Sequence, residues 1–199
     1  MKITTATFHT SSAGVDDCPP SELAEFAFIG RSNVGKSSLL NMLCNQKGLA
    51  KVSQKPGHTR LINFFVINKE WTLVDLPGYG YAKAPKAERY RFNDFVADYI
   101  ESREELSHVF VLIDSRHSPM KIDLGFVSWL VEIGVPFSLV FTKSDKLKKG
   151  KIEKHKQAFL DAMKEFSEGD PPTFITSAVN NDGRNDVLRF IGEKLRGGT

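Results

Sequence analysis

The chain is poor in cysteine, in long apolar runs and in net charge, and each shortage excludes something. Its two cysteines, Cys18 and Cys44, match no metal-ligand spacing and point to free thiols in a reducing cytoplasm. No apolar run approaches the length of a membrane span. The stretch Met1–Thr10 has no apolar signal core, so secretion is not expected and a cytoplasmic location is. A net charge of +3 permits an acidic partner without requiring one. Internal repeats, low-complexity tracts and a second domain are also missing. What remains is one ordinary globular domain: 199 residues, 41% hydrophobic and 26% charged, are enough for a substantial core.

The stretch that organises the chain is Gly30-Arg31-Ser32-Asn33-Val34-Gly35-Lys36-Ser37, which fits G-x-x-x-x-G-K-[ST] at every fixed position. An apolar run, Ala24–Ile29, precedes it as a buried strand, and Ser38–Leu43 follows as a helix. Gly30 and Gly35 permit backbone angles that let successive N–H groups converge on phosphate oxygens, and the helix points its positive end at the same anion. Lys36 is expected to reach the β- and γ-phosphates, Ser37 to ligate magnesium, and Ser38 to donate to the α-phosphate.

Residues 1–22 form an N-terminal extension, closed by Cys18-Pro19-Pro20-Ser21. Phe8 is either part of an extra strand or a cover for a core edge, and the sequence leaves both open. The first helix is expected to run to about Lys47 and stop at Gly48. Leu61–Ile67 and Trp71–Asp75, joined by Asn68-Lys69-Glu70, read as an antiparallel hairpin. Phe92, Phe95, Val96, Tyr99 and Ile100 fall at helical spacing. So do Ile122, Phe126, Val127 and Leu130, then Ile152, Phe159, Leu160, Met163 and Phe166, and finally Val187, Leu188, Ile191 and Leu195. Val109–Ile113, Phe137–Phe141 and Pro172–Thr176 read as strands between those helices. The alternation over residues 23–196 predicts an α/β domain of three layers. Its sheet is mostly parallel, with about six strands, one of them antiparallel, and helices cover both faces. Ligands of such sheets bind at the carboxyl ends of the strands.

Each remaining motif sits at such an end or in an adjoining loop. Asp75-Leu76-Pro77-Gly78 follows a strand. Asp75 would hold magnesium through a water, and the Gly78 N–H would contact the γ-phosphate. Thr59, in the polar loop before the hairpin, is the candidate second magnesium ligand, whose contacts vanish when the γ-phosphate leaves. Thr142-Lys143-Ser144-Asp145 selects the base, because the Asp145 carboxylate accepts from the guanine ring N–H and its exocyclic amine, a donor pair that adenine lacks. Lys143 would lay its alkyl stem along the base. Ser177-Ala178 would offer a backbone N–H to the guanine carbonyl. The base motif argues against an ATPase or kinase on the same phosphate loop.

In this order the four elements resemble the translation-factor-related P-loop GTPases. Gly30–Ser38, Gly57–Phe65, Asp75–Lys83 and Asp114-Ser115-Arg116-His117-Ser118-Pro119 together resemble the EngB/YsxC family, over about residues 3–196. The resemblance implies a single-domain bacterial GTPase of the TrmE–Era–EngA–EngB–septin-like kind, implicated in assembly of the large ribosomal subunit and in cell division and septation. It implies Gly30–Ser37 as the phosphate contacts and Ser37 and Thr59 as magnesium ligands. Gly57-His58-Thr59-Arg60-Leu61 would close on the γ-phosphate, Asp75–Gly78 would sense it, and Thr142–Asp145 with Thr176-Ser177-Ala178 would hold guanine. The broader GTPase pattern starts the base motif with asparagine. Thr142 has a hydroxyl and no amide, so weaker support of the phosphate loop is expected.

Many GTPases place glutamine directly after D-x-x-G to orient the attacking water; here that residue is Tyr79. Catalysis is therefore assigned to Lys36, Thr59, the Gly78 N–H and magnesium, with slow hydrolysis until a partner completes the site. Asn33 either caps its loop or, as in relatives of this class, helps to bind potassium. Residues 143–156 contain seven lysines, at 143, 146, 148, 149, 151, 154 and 156. These form either a solvated helix face or a contact for ribosomal RNA phosphates. Arg116 and His117 receive no catalytic role. A monomer is expected. The competing reading is a nucleotide-dependent binding module at the division site with no ribosomal role.

Overall fold

Residues 1–50, 61–79 and 86–197 are described by the computed structural model, with the side chains of 86–93 excepted. The predicted Gly57, His58, Thr59 and Arg60, and Gly80–Lys83, lie outside the described residues. The strands are β1 (Ala6–Ser12), β2 (Glu25–Gly30), β3 (Ile62–Ile67), β4 (Trp71–Asp75), β5 (Leu106–Asp114), β6 (Phe137–Thr142) and β7 (Thr173–Ile175). The helices are α1 (Lys36–Leu43), α2 (Lys86–Ser102), α3 (Lys121–Glu132), α4 (Lys149–Met163) and α5 (Arg184–Leu195). They build one seven-stranded sheet in the order β1-β3-β4-β2-β5-β6-β7. Only β3 runs against the rest, antiparallel to both β1 and β4.

Period-two alternation within the strands sorts the core into two layers. Ala27 and Ile29 of β2, Val109, Val111 and Ile113 of β5, and Leu139 and Phe141 of β6 face α2, α3 and α4. Phe26 and Phe28, Phe110 and Leu112, and Val140 face α1 and α5 on the other side. Aromatic rings fill the second layer, with Phe28 stacked on Phe110 at 4.7 Å and Phe26 edge-on to Trp71 at 5.5 Å.

Three expectations change. The sheet has seven strands rather than about six, because the residues around Phe8 form β1 and zip onto β3; Phe8 itself stays 52% exposed, with its ring against Phe65. Helix α1 ends at Leu43 rather than near Lys47, because Asn45 already takes a left-handed φ of 49° and ends it before Gly48. Ile122, expected on the buried face of α3, is 43% exposed, whereas Asp123 beside it is buried. The hairpin turn is as expected, with φ positive at both Asn68 and Lys69, the handedness that matches the strand twist.

His108, on β5, is buried between Phe110 and Phe190 and bonds Ser138 at 2.8 Å. Burial, with a smaller contribution from Lys194, lowers its pKa from 6.5 to about 4. The folded chain therefore binds this proton more weakly than the unfolded one. The associated stability is complete above about pH 6.5 and is lost as pH falls through 4, about 3 kcal/mol in all. Chemical denaturation at pH 7 and pH 4.5 checks this: His108→Gln should lose visibly less stability between the two than the native chain.

Candidate functional site

The carboxyl ends of β2, β4, β6 and β7 meet at one edge of the sheet, and the sequence motifs leave from those ends. Gly30 ends β2 so close to β5 that a Cβ there would lie 2.8 Å from the Leu112 carbonyl oxygen. The chain then turns through Arg31–Asn33, with Asn33 at φ 62°, and Gly35 at φ 103° starts α1. No side chain caps α1 and no acidic residue lies in its first turn, so its amino end presents positive potential and free N–H groups. Lys36, Ser37 and Ser38 occupy that turn and are half-buried. The other end is held by Arg184, whose guanidinium donates to the Met42 and Leu43 carbonyls.

Asp75, 5% exposed at the end of β4, forms an ion pair with Lys36. Leu76 and Pro77 are buried, and the Leu76 N–H donates to the Phe28 carbonyl. Gly78 then crosses the phosphate loop: a Cβ on it would stand 2.6 Å from the Gly30 carbonyl oxygen. Ser37 and Asp75 supply only oxygen donors, and with the uncapped helix end beside them this set suits magnesium held jointly with phosphate oxygens. Leu61, 40% exposed, leads into β3.

The base-motif segment is bonded directly to the phosphate loop. The Thr142 hydroxyl donates to the Val34 carbonyl at 2.6 Å, so this threonine supports the loop without an amide. Lys143, left-handed at φ 59°, lays its stem over Gly35, donates to the Asn33 carbonyl and pairs with Asp114 at 2.9 Å. Ser144 bonds the Thr176 carbonyl, which joins the β6 and β7 loops. Asp145 accepts from Ser177 Oγ at 2.8 Å and faces Lys146 at 3.0 Å. Hydrogen bonds from Lys146 and Ser177 hold its carboxyl below the usual range, so it is an acceptor at neutral pH. Ala178 is half-buried. Gly183 ends this loop at φ 72°, where a Cβ would stand 2.2 Å from the Ile175 carbonyl oxygen.

Sequence reasoning missed two acidic residues. Asp114, buried at the end of β5, takes both Lys143 and a bidentate contact from Arg116. Burial opposes its charge, yet those hydrogen bonds win and carry its pKa well below the carboxylate range. Its place at a strand end was the available signal. Asp123 of α3, 1% exposed, takes Arg31 Nε and Tyr79 Oη. Nothing local in the sequence marks it.

A family model described as 50S ribosome-binding GTPase matches residues 25–143. The chain is 54% identical to the probable GTP-binding protein EngB of Flavobacterium psychrophilum, over 97% of this chain and 95% of that one. It is 52% identical to the protein of the same name from Porphyromonas gingivalis, over 96% and 95%. Among solved structures, a probable GTP-binding protein engB superposes with a TM-score of 0.71 at 24% identity, covering 87% of this chain and all of that one. The translation elongation factor SelB of Methanococcus maripaludis, at 14% identity, shares the fold with a TM-score of 0.63 over 90% of this chain and 34% of its own. By its sequence and by its fold, the chain belongs to the EngB family of GTP-binding proteins, a family of P-loop GTPases.

Proposed function

We propose that the protein is a magnesium-dependent GTP switch that acts in assembly of the large ribosomal subunit in the cytoplasm, as a monomer, and is needed for normal cell division and septation. The observation that carries the nucleotide reading is the bonding of the base motif to the phosphate loop, through Thr142 to Val34 and Lys143 to Asn33. A base held at Asp145 and phosphates held at Gly30–Ser38 would then sit in one rigid frame. Among the described residues no helix is long and apolar enough to cross a membrane.

In this reading the Gly30–Ser38 N–H groups and Lys36 bind phosphate oxygens, and Ser38 reaches the α-phosphate. Ser37, Thr59 and Asp75 would hold magnesium, Asp75 through a water. The chemistry that a magnesium ion would supply there is neutralisation of phosphate charge. The Lys36 ammonium, paired with Asp75 in this structure, exchanges that partner for phosphate and stabilises the charge that builds as the γ-phosphoryl bond to GDP loosens. The Gly78 N–H and the Gly57–Leu61 segment, with Thr59 at its centre, hold the γ-phosphate while water attacks in line. Thr176, Ser177 and Ala178 complete the guanine pocket with Thr142–Asp145.

Tyr79 takes no part in orienting that water. Its ring stacks on Phe126 at 4.6 Å and its hydroxyl is committed to Asp123. Slow intrinsic turnover follows, with a partner completing the site. Asn33, exposed at the loop tip, is the residue through which potassium would stimulate hydrolysis. Equal rates in potassium and sodium would remove that role.

The ribosomal reading draws on the family model's description and on α4, where Lys149, Lys151 and Lys154 are exposed, as are Lys146 and Lys148 just before it. These lysines suit RNA phosphates. Co-sedimentation with large ribosomal subunits tests it: binding should be stronger with a non-hydrolysable GTP analogue than with GDP and should weaken steeply with salt. Nucleotide-independent or absent sedimentation would contradict it.

A further inference from the structure

The residue after D-x-x-G is an anchor here, and three side chains far apart in sequence make it one. Asp123, in the first turn of α3, accepts from Arg31 Nε with both carboxylate oxygens at 3.0 Å and from Tyr79 Oη at 2.9 Å. Arg31 belongs to the phosphate loop, and Tyr79 directly follows Gly78. The backbones of these two residues also form a parallel bridge, and the Tyr79 N–H donates to the Gly30 carbonyl at 3.2 Å. Tyr79 is 6% exposed, with its ring stacked on Phe126. Burial raises the Tyr79 pKa far above its ordinary value, so the hydroxyl stays a donor. Burial likewise opposes the Asp123 charge, and the Arg31 guanidinium compensates in part.

We propose that Asp123 is a positioning residue that, through Tyr79 and Arg31, fixes the Gly78 N–H against the phosphate loop and so sets discrimination between GTP and GDP. The proposal rests on the reading of Gly78 as a γ-phosphate contact. The argument is geometric. Gly78 has no side chain, so its N–H direction is set by what holds its neighbours. On one side Leu76 and Pro77 are fixed in the core. On the other, Asp123 ties Tyr79 to Arg31 of the loop that cradles the phosphates. Without that tie, ordering Gly78 would fall to the ligand and reduce the affinity gained from the γ-phosphate. GDP makes no contact at Gly78 and would not notice.

The experiment measures affinity for GDP and for a non-hydrolysable GTP analogue, with magnesium, in the native chain, Tyr79→Phe, Asp123→Asn and the double variant. Tyr79→Phe keeps the ring stack and removes only the hydroxyl, so it serves where Asp123→Asn fails to fold. Expected are losses for the GTP analogue of about fivefold in Tyr79→Phe and about tenfold in Asp123→Asn, with GDP unchanged within about twofold. The double variant should lose no more than Asp123→Asn alone, because the Tyr79 hydroxyl acts only through Asp123. Equal weakening of both nucleotides, as a merely structural role would give, overturns the proposal, and so does unchanged discrimination. If the GTP analogue protects the Gly78 amide of the native chain from hydrogen exchange no more than GDP does, the reading of Gly78 itself is removed, and the proposal with it.

Discussion

Replacing Asp145 with asparagine should lower affinity for GTP and GDP by on the order of 10²- to 10³-fold and transfer preference to xanthine nucleotides. The carboxylate is ionised and oriented before any base arrives, with Ser177 on one oxygen and Lys146 beside the other. A guanine edge with two donors meets an acceptor there. An asparagine amide turns one of those contacts into donor against donor, which desolvates two groups and pairs neither. Xanthine carries a carbonyl where guanine carries its amine, so the amide can donate to it. The shift in base preference separates this outcome from damage to the loop. Ser177→Ala, which removes only the orienting hydroxyl, should cost far less, about tenfold. Competition binding with GDP, XDP and ADP reads all three.

Lys36→Ala should abolish measurable hydrolysis, with a fall of about 10²- to 10³-fold in single-turnover rate at saturating GTP. The ammonium is a full charge at the start of α1, and its present partner, Asp75, is itself buried. A second effect follows from that pairing. Removing Lys36 leaves Asp75 as an uncompensated buried carboxylate, so the nucleotide-free variant should be less stable than the native chain by about 3 kcal/mol. The doubly changed chain, Lys36→Ala with Asp75→Asn, should recover most of that stability and none of the activity. Urea unfolding without nucleotide, set beside single-turnover kinetics, distinguishes the two losses.

How much of this was legible in the sequence follows from the range of each signal. The strand–turn–helix around Gly30–Ser37, the hairpin and the strand–helix alternation are local patterns, and the elements stand where the sequence puts them. The placement of Thr142–Asp145 at the end of an apolar strand was legible for the same reason. Helix α1 was drawn too long because Gly48 looks like a stop, whereas Asn45 reaches the left-handed region first. The strand around Phe8 was undecidable, because an exposed edge strand has one covered face and a weak alternation. Thr142 was underrated: chemistry alone gave it a hydroxyl, and only the fold shows that hydroxyl within 2.6 Å of the Val34 carbonyl. Asp123 was invisible, since its partners lie 92 and 44 residues away and an aspartate among Lys121, Ile122 and Leu124 reads as a solvated first-turn residue. Asp114 was half visible, placed at a strand end with no partner to give it a purpose.

The measurement that bears most directly on the account is equilibrium binding of GDP, GTP and ATP to the native chain in magnesium, by displacement of a fluorescent guanine nucleotide. The account predicts that both guanine nucleotides displace the probe and that ATP fails to do so at a thousandfold higher concentration. Displacement by ATP and GTP at similar concentrations would contradict it, because the Asp145 carboxylate, held by Ser177 and bonded through its segment to the phosphate loop, would then have no role in choosing the base.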